Sequence, residues 1–237
     1  MTEPNPALFE LSMSEKAKPL LARVIKHLEE NVAPWHDEFE ALNEEKEDRW
    51  SWHPRQLELM EEAKAKAREA GLWNFFLPDA ETGEGLSNLD YAYIAAELGK
   101  YPRGSETMNC NAPDTGNMEV LERVGTPEQK EQWLKPLLNG EIRSAYAMTE
   151  PNVASSDAKN ISTRAVLDGD DWVINGEKFY ISGAGNPRCK VMIVMVKTNP
   201  DAPVHKQQSQ ILVPMDTPGV EILGAMEVMG EDHAPYG

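Results

Sequence analysis

Only two cysteines, Cys110 and Cys189, occur in 237 residues. That is too few for a disulfide framework, and it reads as two reduced thiols. No histidine lies near Cys110 in sequence, which leaves a thiol nucleophile there without a neighbouring base. No apolar run approaches the roughly 20 residues that cross a bilayer. Basic residues are scarce: 23 Lys and Arg stand against 40 Asp and Glu, a formal net charge of −17. Nucleic acid is excluded as a partner, because phosphate chains need clustered Lys and Arg. An anionic membrane surface is disfavoured for the same reason, although a few local basic groups can still hold a small anion. The opening Met-Thr-Glu-Pro has neither a basic n-region nor an Arg-rich amphipathic start, so a cytoplasmic protein is expected. Neither Gly83-Glu-Gly85 nor Gly183-Ala-Gly185 completes a GxGxxG fingerprint. There is no internal repeat and no low-complexity tract.

Hydrophobic residues make up 41% and charged residues 27%, ordinary values for a soluble chain with a sizeable core in one large domain or two. The pattern changes near Gly140. Before it, helical spacing dominates. Ser12-Met-Ser-Glu15 has the form of a capping box. Leu20, Leu21, Val24, Ile25, Leu28 and Val32 then follow at helical intervals until Pro34. Residues 37–49 are mostly charged and read as a solvated connector or helix end. Pro54 opens a second helix carrying Leu57, Met60, Ala63, Ala67 and Ala70, closed by Gly71. A third helix starts at Ser87 and ends near Gly99, and a fourth runs from about Gly116 to Val124. Thr126-Pro-Glu-Gln129 combines an N-cap, a Pro at the first helical position and a Gln at the third. The helix it starts carries Trp133, Leu134, Leu137 and Leu138.

After Gly140 the pattern is β. Strands are expected at 163–167, 172–174, 179–182, 191–196, 211–213 and 220–223. Asp168-Gly-Asp-Asp171 is a turn, and Asn175-Gly176 signals a type I′ hairpin. The run at 191–196 is continuously apolar and reads as a strand buried on both faces. The expected fold class is α+β: a helical-bundle domain, 1–140, followed by an antiparallel β-barrel or sandwich domain, 141–237.

Two stretches could carry chemistry. Tyr146-Ala-Met-Thr-Glu-Pro-Asn-Val-Ala-Ser-Ser-Asp157 joins an apolar strand to a turn rich in small polar residues. Hydroxyls of Thr149, Ser155 and Ser156 and free backbone N–H groups would gather there, which suits a ligand needing many short hydrogen bonds. The same residues could equally be a helix cap or turn satisfying its own backbone. Phe179-Tyr-Ile-Ser182 sets aromatics beside a hydroxyl, as core packing also does. His36-Asp37-Glu38 and Glu231-Asp232-His233 read as surface charge, since their side chains do not converge at those spacings, and no metal is expected. Asp114 reads as the cap of the following helix, with a place in a ligand pocket as a lesser alternative.

The first stretch resembles the flavin-contacting segment of acyl-CoA dehydrogenases, and Tyr180-Ile181-Ser182 resembles that family's Trp-Ile-Thr. The order of the chain is similar throughout: Gly125-Thr-Pro-Glu-Gln-Lys130 with Trp133-Leu-Lys-Pro-Leu137, then Thr149-Glu-Pro, then Asn175-Gly-Glu-Lys178. Asn111-Ala-Pro-Asp-Thr-Gly-Asn-Met118 and Val213-Pro-Met-Asp-Thr-Pro-Gly219 resemble the branch with family members ten and eleven, which implies long or branched acyl chains.

The resemblance implies FAD as cofactor, an acyl-CoA substrate, a flavoprotein electron acceptor and a homodimer or homotetramer. It implies that Tyr146, Met148 and Thr149 contact the flavin ring, with Thr149 on its polar edge. Ser156 lies by the flavin phosphates and the acyl-CoA. Tyr180, Ile181 and Ser182 form the second flavin-contacting segment. Two departures matter. One extra residue separates Pro151 from the Ser-Asp pair, so Ser155 and Ser156 exchange roles freely at this level. Tyr180 offers a smaller flat surface than Trp. The family's catalytic base lies in a C-terminal helical domain, whereas this chain ends at Pro235-Tyr-Gly237. The base is therefore expected beyond residue 237, with an incomplete β domain here. A non-catalytic fragment or interaction module, or a flavin-dependent oxidase relative, remains the alternative.

Overall fold

The computed structural model describes residues 11–46, 48–79, 83–230 and 234–237. The chain divides into two compact units. One holds Trp52–Asn111 and the chain up to Glu45; the other holds Lys46–Ser51 and Ala112–Gly237.

In the first unit, α1 (Lys18–Asn31) buries Leu20, Val24, His27 and Leu28, one face at helical spacing. The helix starts later than the Ser12 capping box would place it, at Lys18. Ala17 precedes the helix, and the Ser14 N–H instead donates to Asp90 Oδ1 at 2.8 Å. Of the two readings of residues 37–49, connector or helix end, the helical one holds for 37–45. They form α2 (His36–Ala41) and a short 3₁₀ turn, Leu42–Glu45. Phe39 decides this: it is fully buried, edge-on to Trp52 at 5.3 Å, and an aromatic of that size stabilises the turn that hides it. The second helix, α3 (Pro54–Glu69), ends as expected. Gly71 takes φ +63°, its N–H reaches Arg68 O and the Leu72 N–H reaches Ala67 O at 2.8 Å, the Schellman pattern. Leu57 faces solvent, and Leu59 takes the core position. Then come α4 (Asn88–Leu98), capped by the Ser87 hydroxyl, and α5 (Gly104–Thr107).

The second unit opens with α6 (Asp114–Val124). Next α7 (Pro127–Gln129), started by the Thr126 capping box, passes through a π turn at Lys130–Leu134 into α8 (Lys135–Leu138). Helix gives way to strand at β1 (Arg143–Ala147). The other strands are β2 (Arg164–Asp168), β3 (Asp171–Asn175), β4 (Cys189–Lys197) and β5 (Gln208–Pro214). β4 is central: β1 and β2 lie along one edge and β5 along the other. Its buried face packs Val194 and Val196 with Ala145, Ala147, Ala165, Ile181, Ala184 and Val213.

A helical domain followed by a β domain is the expected class, but the sheet is mixed rather than wholly antiparallel. β1 runs parallel to β4, with Tyr146 opposite Ile193. Forty-one residues separate the two strands, enough for the return crossover that parallel pairing needs. Three further expectations fail. The hairpin lies at Gly169-Asp170, where Asp168 pairs Asp171, and not at Asn175-Gly176. Gly176 is there for closeness: a Cβ on it would stand 2.2 Å from Thr163 Oγ1. Residues 179–182 and 220–223 form no strand. In the second case Leu223 is 77% exposed, so apolar residues alone did not make a sheet position.

Candidate functional site

β1 delivers Tyr146 to one face of the sheet, where its hydroxyl accepts from Gln210 Nε2 at 3.1 Å. Burial pushes the phenol up, and the Gln210 bond opposes it. Past the strand end, Met148 is half-buried and Thr149 exposed, while Glu150 is buried. Glu150 is the hub. Its Oε1 accepts from the Thr163 N–H at 2.9 Å and from Lys178 Nζ at 2.8 Å. Its Oε2 accepts from the Ser162 N–H at 2.7 Å and from the Ser162 hydroxyl. Burial alone would raise this carboxyl. The bonds from Lys178, Ser162 and Thr163 outweigh it and hold the group at about 2.

Lys178 closes the arrangement. Its ammonium also donates to Met148 O at 3.0 Å and Met195 O at 2.8 Å, and the next residue's N–H, that of Phe179, donates to Thr149 O at 3.1 Å. The two stretches singled out in the sequence are therefore joined at Met148–Thr149 and Lys178–Phe179. Beyond that contact, Ile181 exchanges backbone hydrogen bonds with Gly237, and Ser182 bridges Tyr236. One short segment thus bonds to two different partners, and this is why it is no regular strand. The bend falls on Tyr180, whose φ of +55° is unfavourable for a residue with a Cβ. Such strain persists where surroundings over-determine it, often at ligand sites. The Tyr180 ring is 43% exposed, beside Phe179 and Tyr236, and its hydroxyl reaches Glu227 O at 3.3 Å. Ile181 is buried and Ser182 half-buried.

The turn after Pro151 separates the two serines. Ser155 is buried, and its hydroxyl accepts from the Glu150 N–H at 2.9 Å. Ser156 is exposed, and its hydroxyl makes no hydrogen bond to a described residue. Asp157 faces Lys159: its Oδ1 accepts from the Lys159 N–H at 3.1 Å, and its Oδ2 lies 3.2 Å from the Lys159 ammonium. Those contacts, with His205 nearby, lower its carboxyl.

Glu150 and Lys178 were given no role in the sequence, although both were quoted within its motifs. An acid between Thr149 and Pro151 just past an apolar strand run, and a lysine two residues after Gly176, were the available signals. Asp114 is not a helix cap. It is the first residue of α6, makes no capping bond, and binds β1: Oδ1 accepts from the Ser144 N–H at 2.6 Å and hydroxyl at 2.5 Å, and Oδ2 lies 2.6 Å from Arg143 Nη2. It fastens helix to strand.

Burial raises the Cys110 thiol, and it pushes Cys189 up to about 12, so neither is a ready nucleophile. Among the described residues, no three His, Cys, Asp or Glu side chains are placed to hold a metal ion. His36, Asp37 and Glu38 start α2, and residues 231–233 lie outside the described residues. No helix among the described residues is long and apolar enough to cross a membrane.

Against known proteins, residues 14–141 match the family described as acyl-CoA dehydrogenase, N-terminal domain, and residues 145–237 match acyl-CoA dehydrogenase, middle domain. The chain is 45% identical over 230 residues to acyl-CoA dehydrogenase family member 10 of Mus musculus, covering 95% of this chain and 21% of that protein. It is 48% identical over 221 residues to acyl-CoA dehydrogenase family member 11 of Gallus gallus, covering 92% and 28%. A solved structure from Mycobacterium abscessus, assigned as an acyl-CoA dehydrogenase, matches with TM-score 0.87 and 45% identity, covering 95% of this chain and 57% of that one. The chain thus spans about a quarter of the length of these curated relatives.

Proposed function

The chain belongs to the acyl-CoA dehydrogenase family, and from that premise we propose that it holds the flavin of an FAD-dependent enzyme that introduces an α,β double bond into an acyl-CoA thioester. The observation that carries this reading is the cross-link at Lys178 and Phe179, which fixes the Met148–Thr149 backbone and leaves the Thr149 side chain and the Tyr180 ring open beside it. When bound, FAD supplies the acceptor for the hydride that leaves the β-carbon.

The residues present fit such a group. Thr149 offers an uncommitted hydroxyl to the polar edge of the ring. Tyr180 offers a flat π surface whose backbone is already bent and bonded on both sides. Tyr146 and Met148 line the approach, and Ile181 and Ser182 support Tyr180 from the segment that pairs with 235–237. Ser156 is the open hydroxyl for a phosphate or the acyl-CoA, and Ser155 holds the turn that presents it. The carboxylates of Glu150 and Asp114 are engaged by several donors each and are not poised to accept a proton, so neither is assigned as the base.

The finer reading is a long or branched acyl chain, electrons passed to a flavoprotein acceptor, a homodimer or homotetramer and a cytoplasmic site of action. The test is the flavin itself. The purified protein is expected to show the visible flavin bands and to gain thermal stability on adding FAD. Colourless protein that FAD does not stabilise would overturn the reading.

A further inference from the structure

One indole ring accounts for two glycines far apart in sequence. A Cβ on Gly185 would stand 2.2 Å from Trp50 Cδ2 and 2.4 Å from its Cε2, and a Cβ on Gly237 would stand 2.5 Å from its Cη2. Only glycine admits a ring that close. Trp50 is half-buried and spans from the 183–185 turn at one end of its indole to the backbone of Gly237 at the other. Gly183-Ala-Gly185, which completes no nucleotide-binding fingerprint, thus has a packing reason instead. The ring is also held from its own side. Asp48 Oδ1 accepts from the N–H groups of Trp50 and Ser51, each at 2.6 Å, and Oδ2 accepts from the Ser51 hydroxyl at 2.9 Å. These bonds close a tight turn behind Trp50. Lys46–Ser51 belongs to the second unit, together with everything it touches here.

What the ring touches is the support of the Tyr180 segment. The Ile181 N–H donates to Gly237 O at 2.8 Å, the Gly237 N–H returns to Ile181 O at 3.2 Å, and the Gly183 N–H donates to Pro235 O at 2.8 Å. Trp50 packs against both sides of this short ladder, at Gly185 and at Gly237. Its neighbour fastens a third strip of chain: Arg49 Nη1 donates to Met226 O at 2.9 Å, and the Met226 N–H donates to Tyr236 O at 2.7 Å. Glu227, next in the chain, gives its carbonyl to the Tyr180 hydroxyl. Tyr180 itself stands at φ +55°, a conformation that persists only while its surroundings over-determine it. The 48–51 turn is a large part of those surroundings.

We propose that Trp50 is a positioning residue for the flavin ring: wedged between Gly185 and Gly237, it holds the Tyr180–Ser182 segment at the angle that presents the Tyr180 face to the ligand. The proposal rests on the flavin reading of that segment. A support of this kind acts through preorganisation, because a contact that is already ordered loses no freedom when the ligand arrives.

Trp50→Ala, Trp50→Phe and Gly185→Ala test it, with Phe39→Leu, at a buried ring of the first unit, as a destabilised control. Each protein is melted without ligand and titrated with FAD and with riboflavin, and the visible circular dichroism of the bound flavin is recorded. Trp50→Ala is expected to lose about three- to tenfold in affinity for both ligands, the scale of ordering one loose side chain on binding. Both should fall because the loosened segment meets the ring and not the phosphates. The dichroism of the bound flavin should weaken with it, and Trp50→Phe should recover part of both signals. Gly185→Ala is expected to act like Trp50→Ala in the wild-type background. Added to Trp50→Ala it should cost little more, because the ring it collides with is gone. If Trp50→Ala does not fold, Trp50→Phe and Gly185→Ala carry the same comparison. Wild-type affinity and dichroism in the variants overturn the positioning role and leave the flavin reading standing. So do losses matched by Phe39→Leu, or a loss for FAD with riboflavin unchanged. Additive effects of Gly185→Ala and Trp50→Ala overturn the wedge. Wild type that does not bind FAD overturns the flavin reading and this role with it.

Discussion

The Lys178 ammonium lies 2.8 Å from Glu150 Oε1, and the pair is buried, with side-chain exposures of 11% and 2%. Lys178→Met would leave the Glu150 carboxylate desolvated and short of its cation. Breaking a buried pair from one side costs about 3–5 kcal/mol. It would also release the carbonyls of Met148 and Met195, which Lys178 binds at 3.0 and 2.8 Å. The expected result is a loss of that size in chemical denaturation, with Lys178→Arg intermediate. A loss below about 1 kcal/mol would show that the pair is not needed to hold the two segments.

The same carboxylate gives the protein a pH signature. Glu150 is held at about 2, below an ordinary carboxyl, so the native state binds its proton less readily than the unfolded chain. Its contribution is therefore complete above the unfolded value, near pH 4.5, and is lost as pH falls toward 2. The swing is on the order of 3 kcal/mol. Urea midpoints measured from pH 6 to pH 3 should fall steeply below pH 4.5 in the wild type. Glu150→Gln, which cannot titrate, should give a shallower fall. Parallel curves for the two proteins would assign acid sensitivity to other groups.

Helix ends were legible in the sequence because capping is local. Ser87, Thr126 and Gly71 act within a few residues of themselves, so their types announce their positions. The segment at 179–182 was not legible as an irregular one. Its apolar and aromatic residues suit a strand, but its backbone partners are Thr149 on one side and Pro235–Gly237 on the other. Long-range hydrogen bonds of that kind leave no trace in local spacing. Phe39 in a charged stretch was missed for a related reason: one buried ring outweighs several solvated acids, yet periodicity counts them equally. Of the candidate site, the hydroxyl-bearing residues were legible by type. The Glu150–Lys178 pair that joins them spans 28 positions and needed coordinates.

Two glycines of the second unit should respond in opposite directions. A Cβ at Gly176 would stand 2.2 Å from Thr163 Oγ1 and 2.5 Å from its Cγ2. Gly176→Ala must displace Thr163, whose N–H is a Glu150 donor, and overpacking of this kind costs about 1–3 kcal/mol. Gly116 lies within α6 with nothing within 4 Å of a Cβ. There alanine should stabilise by up to about 1 kcal/mol, through helix propensity. Thermal melts of both variants separate these outcomes, and equal shifts would contradict the close approach at Gly176.

Ser155 and Ser156 are neighbours with opposite commitments, and alanine at each should show it. The Ser155 hydroxyl accepts the Glu150 N–H inside the turn at 2.9 Å. Ser155→Ala removes that acceptor and leaves a buried N–H unpaired, at a cost of about 1–3 kcal/mol in stability. Because Glu150 is the hub of the site, ligand affinity should fall with it. Ser156 is exposed and makes no hydrogen bond to a described residue, so Ser156→Ala should leave the melting temperature within about 1 °C of wild type. If Ser156 meets a flavin phosphate or the acyl-CoA, its loss should still weaken one of those ligands several-fold, on the scale of a single hydrogen bond of about 1 kcal/mol. Melting curves without ligand, followed by titrations with FAD and with an acyl-CoA, test both halves. Ser156→Ala that binds FAD and acyl-CoA like wild type would show that its hydroxyl only faces water. Ser155→Ala that melts like wild type would show that the turn closes without it.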